Sequence, residues 1–175
     1  MILVVPLIAV LLVFAALNTR AGWLVEEEFQ EFIGPAIVAF GLWLSMMSTA
    51  LRKRLIDVWF VGLFASLLCR ELHFVGTSTG IYIALIVLFV SGSILRERLP
   101  EFYQRSLPIS LLVGGFSTYA IAVTIDAAWW RFLPEFRMWR VQVEETLEST
   151  GHLLILAAVI AVIAQRSYAD SITKR

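Results

Sequence analysis

Residues 142–165 read QVEETLESTGHLLILAAVIAVIAQ, and this one stretch decides the fold class. From Leu153 to Ala164 no polar side chain interrupts it, whereas Glu144, Glu145, Glu148 and His152 crowd the turns just before. A helix needs about 20 mostly apolar residues, each rising about 1.5 Å, to cross the hydrocarbon core, because lipid offers no partner to an unpaired backbone group. The stretch has that length only if its acidic first turns sit at the membrane boundary.

Working outward, five further stretches reach a similar length: 2–18, 30–51, 55–76, 79–95 and 108–130. They are separated by Asn18-Thr19-Arg20, Arg52-Lys53-Arg54, Gly76-Thr77-Ser78 and Pro100. The expected fold is therefore all-α, a polytopic membrane protein with a bundle of six transmembrane helices in a single domain over residues 1–175. Composition agrees. Of 175 residues 59% are hydrophobic and 16% charged, with a mean hydropathy of +0.83, and a soluble domain with that surface would aggregate. No Lys or Arg precedes the first apolar run, so it reads as a retained helix and not as a signal peptide.

Basic residues resist translocation and set the orientation. With six spans, Arg52, Lys53, Arg54, Arg96, Arg98, Arg105, Arg166, Lys174 and Arg175 share one side, against Arg20, Arg131, Arg137 and Arg140 on the other. Both the N and C termini are thus expected in the cytoplasm, with a bacterial inner (plasma) membrane as the location. Trp23, Trp129, Trp130 and Trp139 fall at the outer boundary as an aromatic belt. Most of the fourteen carboxylates fall there too, Glu26, Glu27 and Glu28 among them.

Several function classes drop out. A formal net charge of zero gives no basic surface for nucleic acid, so the lipid bilayer is the expected partner, joined by a lipid-like substrate or other membrane subunits. One cysteine, Cys69, excludes an internal disulfide, and with two histidines it excludes thiolate zinc sites and histidine-rich clusters. The chain carries no nucleophile elbow, phosphate loop, zincin helix or redox pair.

The informative residues are the ionisable ones in the outer thirds of the spans, where each costs a few kcal/mol unless paired or hydrated. Arg70, Glu71 and His73 close span three, Asp126 closes span five, and Glu31 stands at the outer end of span two. At 100° per residue, Glu144, Glu145, Glu148 and His152 fall within one stripe about 100° wide on span six. A stripe of that width is expected to face the bundle interior. Its continuation into Ile155, Leu156 and Val159 makes a vestibule with a floor rather than a channel. Glu71 lies about 200° from His73 on a regular helix, so those two converge only if the chain unwinds near Gly76.

Four readings of this constellation stand side by side. Glu145, Glu148 and His152, joined by His73, present carboxylates and imidazoles to a divalent metal ion such as Zn, Mn or Fe, which could activate water against a lipid-borne substrate. Alternatively, Arg70 and Arg131 form buried ion pairs with Glu148, Glu145 or Asp126 that only fix helix packing. Substrate or proton handling without metal is the third, with Arg70, Glu71, Asp126, Glu144, Glu31 and Arg131 as the charged lining. Haem b held between His73 and His152 is the fourth.

Overall fold

Each of the six apolar stretches forms a helix in the computed structural model, which describes residues 4–20, 22–72, 77–99 and 106–173. We label them α1 (Val4–Leu17), α2 (Glu27–Arg52), α3 (Leu55–Glu71), α4 (Thr77–Ile94), α5 (Ser106–Asp126) and α6 (Phe136–Thr173). Short 3-10 turns at Gly22–Val25 and Arg96–Arg98 complete the regular structure, and no strand occurs among the described residues. The expected boundaries shift. α2 begins earlier because Glu28 suits the positive end of the helix macrodipole, which leaves Pro35 well inside the helix instead of in its first turns. Gly76 and the segment 100–105 lie outside the described residues.

Three helices are long and apolar enough to cross a membrane: Glu28–Arg52, Ser106–Asp126 and Phe136–Ala164. Val4–Ala16 and Ile83–Ile94 are apolar but shorter. With Leu11, Leu12, Ile86, Val87, Val90 and Ile94 all exposed, their faces suit a solvent that is itself apolar. The chain is on these grounds an all-helical integral membrane protein.

Two compact units divide it, Met1–Gly34 with Ser110–Ile155, and Pro35–Ile109 with Leu156–Arg175. In the first, Ala9 and Val13 of α1, Val25, Ala122 and Ile125 of α5, and Phe136, Val143 and Leu147 of α6 form one apolar core. Close contact of α5 with α6 depends on glycine. A Cβ on Gly115 would lie 2.8 Å from Ile155 Cγ1, and one on Gly151 would lie 2.9 Å from Thr118 Oγ1 and from the Tyr119 ring. Without a hydrophobic effect between helices in lipid, such close backbone approach is what gains dispersion energy.

In the second unit α3 turns Ile56, Trp59, Phe60, Leu63, Phe64 and Leu67 inward, a 3.6-residue repeat that buries one face. The Phe64 ring occupies the space that a side chain at position 41 would take, so Gly41 of α2 is required there. Trp59 donates its indole N–H to the Leu88 carbonyl at 2.9 Å, joining α3 to α4. Lys53, with φ of 50°, takes the left-handed conformation that reverses the chain between α2 and α3. Across that reversal Asp57, 2% exposed, accepts two bonds of 2.8 Å from Arg54 and one of 2.9 Å from Ser48 Oγ.

Candidate functional site: the polar face of α6

The segment between α5 and α6 is built to hold their charged ends together. α5 ends in a Schellman arrangement: Trp129 N–H donates to the Thr124 carbonyl and Ala128 N–H to that of Ile125, at 3.1 and 2.9 Å, with Ala128 left-handed at φ 56°. This reversal leaves Asp126 at the helix end, facing the second turn of α6. There Arg140 donates from Nη2 to Asp126 Oδ1 at 2.7 Å, and its Nε lies 3.8 Å from Glu144 Oε2, one turn on. Two carboxylates share one guanidinium, so the trio keeps one negative charge when both are ionised. Asp126 is 62% exposed and Glu144 18%, so water reaches the first far more freely than the second.

Farther along α6 the polar face becomes progressively enclosed. Glu145 and Glu148 are half-buried, Ser149 is buried, and His152 has no exposed surface at all. The His152 ring meets the edge of Tyr119 on α5, centroid to centroid 5.1 Å at 69°. Beside it Thr118, also fully buried, donates its hydroxyl to the Gly115 carbonyl at 2.6 Å. Ile155, fully buried, follows on the same helix. Gln142 and Thr146, one turn apart, add two enclosed side-chain oxygens without a hydrogen-bond partner among the described residues.

The expected site residues divide between the two units. Glu31, Asp126, Arg131, Glu144, Glu145, Glu148 and His152 belong to the first, Arg70 and Glu71 to the second. Glu31 and Arg131 are exposed. Arg70 Nη1 lies 3.7 Å from Glu71 Oε1, while the guanidinium that Asp126 meets is that of Arg140. Of the four expected metal ligands, Glu145, Glu148 and His152 are described and His73 lies outside the described residues. Among the described residues no three His, Cys, Asp or Glu side chains gather as a metal site.

Arg140 is the residue that sequence reasoning passed over, although its spacing to Glu144, i to i+4, was a readable signal. Asp57 was passed over too, and Arg54 three residues before it was the corresponding sign. Comparison with protein-family models, with curated proteins and with solved structures finds no match to this chain.

Proposed function

We propose that the chain crosses the membrane six times with both termini in the cytoplasm, and that the outer half of α5 and α6 forms an outward-facing polar pocket that binds a lipid-like substrate. The observation that carries this reading is the gradient of burial along α6, from half-buried Glu144, Glu145 and Glu148 to wholly enclosed His152. Each such group costs a few kcal/mol within a membrane, and a sequence that places four on one helical face gains from them something other than stability.

Native mass spectrometry of the protein, purified without chelator, tests this. A retained adduct of lipid size is expected, lost in Glu148→Gln while the melting temperature holds. Stoichiometric transition metal or a Soret band in the same sample would instead favour the metal or the haem reading of the sequence. Absence of any adduct gives the molecule to the second reading, an accessory subunit, which the pairing of Arg140 with Asp126 and Glu144 supports. Topology is tested separately: in a Cys69→Ser background, cysteines at positions 20 and 131 should react with an impermeant maleimide from outside, and one at position 96 should not.

A further inference from the structure

The first unit also holds a groove of about 410 Å³ whose wall is almost wholly apolar. α1 forms one side from Pro6 to Phe14, and Ile125, Trp130, Trp139 and Val143 form much of the other. It opens outward, since Leu7 is 59% exposed. Both indole N–H groups are used within the chain, Trp130 donating to Thr124 Oγ1 and Trp139 to the Pro134 carbonyl, so the wall offers carbon and no donors.

Size decides what can occupy it. Pro6 to Phe14 is nine residues of helix, whose eight rises span about 12 Å, most of one leaflet's half of a hydrocarbon core about 30 Å thick. A single extended acyl chain can follow a groove of that length. The volume also falls within the roughly 300–1,000 Å³ of ordinary ligand pockets.

Charge on the residues next to the lining decides what head the chain carries. Ile125, Trp139 and Val143 line the groove, and each immediately precedes a member of the Asp126, Arg140, Glu144 trio. The trio, which has one negative charge to spare when both acids are ionised, therefore stands at the level of the groove, one step around each helix. Arg131 and Arg137, both exposed and in no ion pair among the described residues, belong to the same turn and helix start. A cation beside a phosphate answers this pattern.

We propose that the groove holds one acyl chain of a phospholipid with a primary ammonium head, the ammonium meeting Asp126 and Glu144 and the phosphate meeting Arg131 and Arg137. A primary ammonium donates hydrogen bonds to carboxylates, which a quaternary one does not. This names the substrate class of the pocket proposed above and rests on that reading for the side of the membrane.

The test is competition among phosphatidylethanolamine, phosphatidylcholine and phosphatidylglycerol of identical chains, added to the delipidated full-length protein and read by native mass spectrometry. One phosphatidylethanolamine should be retained several-fold over the others. Leu7→Trp, on an exposed wall position, should abolish retention, and Leu133→Trp provides a second filling variant, with Ile86→Trp on α4 as the unaffected control. Asp126→Asn with Glu144→Gln should keep a bound lipid but remove the head preference. Equal retention of the three lipids by the unaltered protein, or full retention by both filling variants, overturns the proposal. If Glu148→Gln still loses its adduct while the filling variants lose nothing, only the groove assignment fails.

Discussion

Two charged clusters, one in each unit, use the same residue types to opposite effect. At the α2–α3 reversal, Asp57 is 2% exposed and every oxygen is met: two bonds from Arg54, one from Ser48, with a single acid balanced by a single base. At the α5–α6 reversal, Arg140 is shared by two acids, one at 2.7 Å and one at 3.8 Å, and Asp126 is more than half exposed. A closed, neutral, desolvated cluster has only the enclosed Nη1 of Arg54 without a hydrogen bond, and no carboxylate oxygen to spare for a ligand. The open and unbalanced one keeps charge and hydrogen-bonding capacity in reserve, and on that difference rests the assignment of packing to the first and binding to the second.

The most severe way to break the comparison is to open the closed cluster. Asp57→Ala leaves the Arg54 guanidinium enclosed without its counter-ion, and removal of one partner from a buried pair costs about 3–5 kcal/mol. Thermal unfolding in detergent should reveal a large drop in melting temperature, and a shift of only a degree or two would mean that the cluster is as loosely held as its counterpart. Next in size is the contact of α5 with α6 that sets the depth of the polar face. Gly151→Ala would press a methyl group within 3 Å of Thr118 and Tyr119. Overpacking of that kind costs about 1–3 kcal/mol. Because Tyr119 also touches His152, the same variant should weaken adduct retention, whereas Asp57→Ala at a temperature where it stays folded should not.

How much of this could be read from the sequence follows from what each feature depends on. Helices were legible wherever apolar length alone decides, as in 142–165, and so was the grouping of Glu144, Glu145, Glu148 and His152 on one face, since that is a matter of 100° per residue. The helix ends were less so. α6 starts at Phe136 because Pro134 and left-handed Glu135 turn the chain, and α5 stops at Asp126 because Ala128 adopts a conformation that glycine would normally signal. Pairing across helices was hardest. Arg70 drew attention as the basic residue inside a span, yet the arginine that reaches Asp126 is Arg140, fourteen residues along, placed there by a turn whose course no periodicity reveals. Gly151 was passed over for a similar reason, because its role lies in what α5 puts opposite it.

Arg140→Gln separates the two clusters by a smaller effect. Its side chain is 36% exposed, and an ion pair so placed contributes under about 1 kcal/mol, so the melting temperature should scarcely move. Head-group selection should move, however, because loss of the guanidinium leaves both carboxylates to an incoming ammonium. Preference for phosphatidylethanolamine in the competition should rise, and a fall would mean that Arg140 itself holds the head.

The smallest expected change tests whether the α5–α6 turn is tuned for stability at all. Ala128 sits at φ 56°, where an L residue with a Cβ is strained by about 1–2 kcal/mol that glycine avoids. Ala128→Gly removes the strain but gives the unfolded chain more freedom, which returns about 0.5–1 kcal/mol, and it takes away a methyl that packs against the core of the first unit, so a net change close to zero is expected. The Schellman bonds of Ala128 and Trp129 are made by backbone groups and survive the exchange. A rise of a degree or two in melting temperature with unchanged lipid retention would mark the turn as a place where the chain tolerates strain to aim Asp126 at Arg140. A loss of stability would instead show that the contact of this methyl with the core of the first unit outweighs the strain, and that this end of the molecule is as closed as the one around Asp57.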